Sequence, residues 1–152
     1  MRQPDFPTIL LVEDNTDDYD AATRSFKKAH LDNPVHWCKS GKDTLDYLRC
    51  AGKYANNPDL TKPGLILLDL NMPGLDGKKT LEILKQDKNL KRIPVVILTT
   101  SADESDVIQC YELGASTYIQ KPVDFEGLVE AVSRIKDYWF GIALLPRSAE
   151  HA

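Results

Sequence analysis

The sequence predicts an α/β fold, a doubly wound (βα)5 sandwich built on a parallel sheet of strand order 2-1-3-4-5. Three observations predict it. Short apolar runs recur five times along the chain, each is continuous rather than alternating, and segments of helical period separate them. Continuous runs rich in Val, Ile and Leu fit strands buried on both faces, which in a parallel sheet need a helical crossover between neighbours. With 152 residues, 42% hydrophobic and 28% charged, the chain is long enough for one domain with its own core.

The elements follow in order. The first strand is "TILLV" (8 to 12), and the helix after it covers 16 to 29, with Ala21, Ala22, Phe26 and Ala29 on one side. A weaker second strand, "VHWC" (35 to 38), leads into a helix over 42 to 50 carrying Leu45 and Leu48. "CAGKYANNPDLTKPG" (50 to 64), rich in Asn, Pro and Gly, reads as an extended loop with no identifiable chemistry. The third strand, "LILL" (65 to 68), precedes a Pro/Gly-punctuated turn and a helix over 77 to 86 with Leu81 and Leu84. The fourth strand, "VVIL" (95 to 98), is followed by a helix over 105 to 113 carrying Val107, Ile108, Tyr111 and Leu113, with Gly114 as its closing glycine. The fifth, "TYI" (117 to 119), precedes a helix over 125 to 139 with a stripe of Phe125, Leu128, Val129, Val132, Ile135 and Trp139. Five alternations with right-handed crossovers give the flavodoxin-like arrangement.

Charge and composition exclude several function classes. The formal net charge is −4, and the largest basic cluster, "KQDKNLKR" (85 to 92), is scattered as a solvated helix end would be. A nucleic-acid partner is therefore not expected. Cys38, Cys50 and Cys110 are far apart and lack metal-ligand spacing, so they read as free thiols in a reducing compartment. The start, "MRQPDFPT", has no apolar signal core, and no run approaches the roughly 18 residues of a membrane span. A cytoplasmic protein is expected.

The informative feature is where the polar residues fall. The first strand ends at Glu13-Asp14, the third at Asp69, the fourth at Thr99, and the fifth reaches Lys121. All lie at carboxyl ends, which in a parallel sheet share one edge. Ligands bind that edge where strand order reverses, here between strands 1 and 3. Converging carboxylates repel unless a proton or a cation intervenes. Oxygen-only ligands favour a hard cation such as Mg²⁺, to which Asn71 offers a main-chain carbonyl. An ammonium and a hydroxyl opposite, Lys121 and Thr99, suit the oxygens of a phosphoryl group. Asp69 then reads as a nucleophile toward phosphorus. Taken singly, each residue has an ordinary structural explanation: a helix-capping acid, a solvent-facing lysine, a local hydrogen-bonder. Their coincidence on one edge favours chemistry.

"ILLVEDN", "LILLDLNMPGLDG", "PVVILTTSA" and "YIQKP" resemble, in order and spacing, the four signatures of the response-regulator receiver domain, over roughly residues 7 to 138. The resemblance implies that Asp69 accepts phosphate from a sensor histidine kinase. It makes Asp14 a direct Mg²⁺ ligand and Glu13 a ligand acting mainly through water. Asn71 becomes the carbonyl ligand, and Thr99 and Lys121 become the phosphate-binding pair. Tyr118 falls at the family's switch aromatic, and Lys121-Pro122 at its cis peptide. Thr100 departs from the small residue common there and bears on the dephosphorylation rate. "LKRIPVVILTTS", the extended loop and a tail containing "LLP" are further similar to single-domain regulators that partner bacterial phytochrome kinases.

The division expected is a receiver domain at 1–139 and a C-terminal extension at 140–152, with no separate output domain. In "RIKDYWFGIALLP" (134 to 146) the helix already has its buried stripe, so further apolar residues are surplus. Tyr138, Trp139, Phe140, Ile142, Leu144 and Leu145 are therefore expected in a two-fold homodimer, with the fourth helix and fifth strand contributing. A tail folded onto its own domain is the alternative.

Two function classes remain, and a third reading is set aside. A phosphorylation-controlled signalling module acts as a terminal regulator or passes phosphate to a histidine phosphotransfer protein. An aspartyl-nucleophile phosphatase of the haloacid-dehalogenase type needs an Asp-x-Asp pair after the first strand, whereas the nucleophile here follows the third and reads Asp69-Leu70-Asn71. A degenerate receiver that only binds a partner is disfavoured because every required group is present.

Overall fold

A computed structural model describes residues 6–57, 60–72 and 76–146. The Pro73-Gly74 turn, part of the extended loop and the last six residues of the expected extension, His151 among them, lie outside these.

Among the described residues five strands and five helices alternate as expected: β1 (Thr8–Val12), α1 (Thr16–Lys28), β2 (Val35–Cys38), α2 (Gly41–Arg49), β3 (Pro63–Leu68), α3 (Gly77–Gln86), β4 (Val95–Thr99), α4 (Glu104–Leu113), β5 (Thr117–Gln120) and α5 (Phe125–Trp139). The sheet is parallel with order β2-β1-β3-β4-β5. β3 begins two residues before the apolar run because Pro63 and Gly64 extend it beside Thr8. A 3-10 turn, Gly52–Tyr54, breaks the extended loop.

Side chains alternate across a strand, so one run supplies two cores. Leu10, Val12, Ile66, Leu68, Val95 and Ile97 face α2, α3 and α4. Ile9, Leu11, Leu65, Leu67 and Val96 face α1 and α5, against Phe26, Leu128, Val132 and Ile135. Each fully buried large side chain contributes about 1.5–3 kcal/mol relative to exposure. α4 differs from expectation. It buries Cys110, while Ile108 and Tyr111 stand half exposed.

Side-chain caps start all five helices: Asn15, Ser40, Asp76, Asp103 and Asp124 each accept a first-turn N–H. Gly114 closes α4 at φ 111°, the left-handed region that an L side chain rarely adopts. The three cysteines are free, with Cys38 and Cys110 buried. Burial pushes the Cys38 thiol up to about 12, so it stays protonated. The Lys121-Pro122 peptide is trans, not cis as the resemblance implies. Trans is the form an X-Pro bond favours by about 0.5–1 kcal/mol. Among the described residues no helix is long and apolar enough to cross a membrane.

Candidate functional site

The carboxyl ends of β1, β3 and β4 and the residue after β5 meet on one edge. The ladder sets their heights: Asp69 N–H donates to the Val12 carbonyl at 3.1 Å, Glu13 N–H to Cys38 at 3.0 Å, and Lys121 N–H to Thr99 at 2.6 Å. One carboxylate oxygen from each of Glu13, Asp14 and Asp69 lies within 4.8 Å of the others. Glu13 and Asp69 are only 3% and 8% exposed, whereas Asp14 is open to solvent. Three carboxylate oxygen donors this close fit a hard divalent cation, which would keep water on the exposed side.

Lys121 completes the arrangement. Its Nζ lies 3.1 Å from Glu13 Oε1 and 4.0 Å from Asp18 Oδ2. A cavity of about 30 Å³ separates the group, lined among others by Glu13, Asp18, Asp69 and Lys121. Burial pushes the Glu13 carboxyl from 4.5 up to about 7, and Asp69 adds to the rise, while Lys121 opposes it. In the metal-free protein the buried acid is therefore readily protonated at neutral pH.

The remaining expected residues fall in the same place. Thr99 is fully buried, and its Oγ1 accepts from Asn71 Nδ2 at 3.4 Å. The Asn71 N–H donates to Asp69 Oδ1 at 3.4 Å. Tyr118, half-buried on β5, donates its hydroxyl to the Ser101 carbonyl at 2.9 Å, tying the aromatic to the β4–α4 loop. Asp106 accepts from Ser101 Oγ at 2.7 Å and pairs with Lys78 of α3, so that loop is braced from both sides.

The end of α5 and the extension divide. Trp139 and Phe140 pack against the α1/α5 core, and Leu145 Cδ1 comes within 3.4 Å of a Cβ placed on Gly64. Tyr138, Ile142 and Leu144 stay exposed.

Two residues at this edge escaped the sequence reading. Gly77 starts α3 where a Cβ would sit 2.5 Å from the Asp69 carbonyl and 2.6 Å from Leu70 Cα. The "DG" at 76–77 was its signal, a glycine directly after an acid that caps the helix. Trp37 of β2 donates its indole N–H to the Glu13 carbonyl at 2.6 Å. Nothing in "VHWC" marks it.

A family model for the response regulator receiver domain matches residues 9–133. Response regulator Rcp1 of Synechocystis sp. is 40% identical over 138 residues, which are 91% of this chain and 92% of Rcp1. The crystal structure of the phosphorylated cyanobacterial phytochrome response regulator RcpA superposes with a TM-score of 0.86 at 38% identity, covering 94% of this chain and 100% of that one. The Mn²⁺-bound form of Rcp1 gives 0.83 at 39% identity, covering 93% and 99%. Receiver domains of this kind bind a divalent metal, and the three convergent carboxylates are consistent with one here. Sequence, fold and acidic edge agree: the chain belongs to the response-regulator receiver family, signalling proteins that take a phosphoryl group from a histidine kinase onto an aspartate.

Proposed function

We propose that Asp69 is the phosphoacceptor and that the cation is Mg²⁺. The observation that carries this reading is the meeting of Glu13, Asp14 and Asp69 within 4.8 Å beside the Lys121 ammonium. Asp14, Asp69 and the Asn71 carbonyl would hold the ion directly, and Glu13 would act largely through water. An Asp69 oxygen attacks the phosphorus of a phosphohistidine, the N–P bond breaks, and the imidazole leaves, taking up a proton. Lys121 neutralises charge on the phosphoryl oxygens, a bound ion would supply further positive charge there, and Thr99 donates to one of them.

The new group brings a charge of about −1.5 to −2 and three strong acceptors. Thr99 moving toward it releases the Asn71 amide, and Tyr118, already bonded to Ser101, follows the β4–α4 loop. Moving a population from 1:99 to 99:1 needs about 5.5 kcal/mol of differential contact, more than one ion pair and one hydrogen bond supply, so switching is partial. Residues 1–139 act as receiver and 140–152 as an extension. The protein works in the cytoplasm, as a terminal regulator or by passing phosphate to a histidine phosphotransfer protein. Likeness to Rcp1 and RcpA favours a phytochrome as the kinase, and the exposed apolar residues on α4 and the extension favour a homodimer.

Acetyl phosphate with Mg²⁺ tests the chemistry. Stoichiometric, slowly lost phosphate that vanishes in Asp69→Asn supports the reading. Multiple-turnover hydrolysis makes the protein an enzyme instead. Phosphotransfer profiling against histidine kinases, light-regulated ones first, tests the partner.

A further inference from the structure

Strand β2 holds both main-chain groups of Glu13. The N–H goes to the Cys38 carbonyl at 3.0 Å, an ordinary ladder bond. The carbonyl, where the ladder runs out, accepts the Trp37 indole N–H at 2.6 Å. That carbonyl and the Asp14 N–H share one rigid peptide plane, so fixing the first also orients the second and the Cα from which the Asp14 carboxylate projects. Asp14 has no other restraint on its side chain: among the described residues its carboxylate makes no hydrogen bond or ion pair. Trp37 is itself immobilised. The Tyr19 ring stacks on it with centres 3.8 Å apart and planes 9° from parallel, and Lys39 Nζ lies 4.7 Å from the ring centre. Tyr19 sits in the first turn of α1 and donates its N–H to the Asn15 carbonyl at 2.9 Å. The stack therefore grips the acidic loop from the strand before it in the sheet and from the helix that follows it.

We propose that Trp37 is a positioning residue for the acidic loop, its indole N–H holding the Glu13-Asp14 peptide in the orientation that receives the divalent cation. The inference rests on reading Glu13, Asp14 and Asp69 as the cation site. A loop free to turn that peptide must be ordered when the ion binds, which lowers affinity without altering the chemistry of the loaded site.

Mg²⁺ titration of the full chain, followed by calorimetry and by the ¹H–¹⁵N signals of the two indoles, tests it. Trp139→Phe assigns the signals. The Trp37 signal should move with the calorimetric half-saturation, and the Trp139 signal should stay still. Trp37→Phe keeps a ring for Tyr19 to stack on but has no N–H. Its Mg²⁺ Kd should rise about 3- to 10-fold, the equivalent of one lost hydrogen bond, and half-maximal phosphorylation by acetyl phosphate should need correspondingly more Mg²⁺, with the same maximum at saturation. A lower denaturation midpoint with an unchanged Kd would reduce Trp37 to packing and overturn the proposal. If the variant does not fold, an unmoved Trp37 signal in the wild type overturns it as well. A wild-type chain that binds no Mg²⁺ at millimolar concentration fails earlier, at the cation site itself.

Discussion

Glu13 carries a conflict between its burial and its charge. Its carboxyl is raised from 4.5 to about 7, chiefly by burial, although Lys121 lies 3.1 Å away. Because the folded value lies above the unfolded one, folding takes up a proton between about pH 4.5 and 7. The stabilisation of the neutral acid is whole below pH 4.5 and is lost as pH rises through about 7. A shift of this size corresponds to about 3 kcal/mol. Denaturation in EDTA should show metal-free stability falling over that window, and Glu13→Gln should flatten the fall. A wild-type curve as flat as the variant's would show that Glu13 is ionised throughout. Gly77 acts at the same site by its size. A methyl group there meets the Asp69 carbonyl at 2.5 Å, so Gly77→Ala must push α3 or the acceptor loop aside. It should cost about 1–3 kcal/mol of stability and slow phosphorylation by acetyl phosphate. Wild-type stability and rate in this variant would mean that the junction yields freely.

At the scale of elements, the loop after α2 has a definite anchor. Tyr54 of the 3-10 turn donates its hydroxyl to Asp43 Oδ1 at 2.9 Å and accepts from His36 Nε2 at 3.0 Å, while Tyr47 bonds the Thr61 carbonyl at 2.7 Å. The loop thereby covers the α2 side of edge strand β2. Tyr54→Phe removes one hydroxyl shared by two partners and should lower stability by about 1–2 kcal/mol. Phosphorylation by acetyl phosphate should be unaffected, since none of Tyr54, His36, Asp43 and Tyr47 lines the cavity between the acids and Lys121. Chemical denaturation and acetyl phosphate labelling of one preparation check both halves. The strands were legible because their apolarity is continuous, and the strand-end acids because a parallel sheet puts every carboxyl end on one edge. The α4 stripe misled: Ile108 and Tyr111 have helical spacing but face outward, and spacing alone does not say which face meets the sheet. The Trp37 bond to Glu13 was illegible because it depends on the β1–β2 register, with Val12 opposite Cys38, which no local pattern encodes.

At the scale of the whole molecule, the extension lies at the edge opposite the acids. With Pro7, Pro63 and Pro94 at the amino ends of strands, it borders a groove of about 1380 Å³. Its apolar residues do two jobs. Phe140 and Leu145 turn inward, so part of the tail folds back as the alternative reading expected. Ile142 and Leu144, 74% and 98% exposed, do not. Burying each against a second copy would contribute about 1.5–3 kcal/mol, and two-fold symmetry counts each twice. Removing both apolar groups should therefore weaken a dimer at least 100-fold. Ile142→Ser with Leu144→Ser should sediment as a monomer at tens of micromolar where the wild type is a dimer, with little change in denaturation midpoint. Leu145→Ser should do the reverse, lowering the midpoint because its contact is internal, and perturbing association less. A wild type that is monomeric at that concentration, with and without phosphate on Asp69, would leave the exposed pair to a different protein and remove the homodimer from the reading.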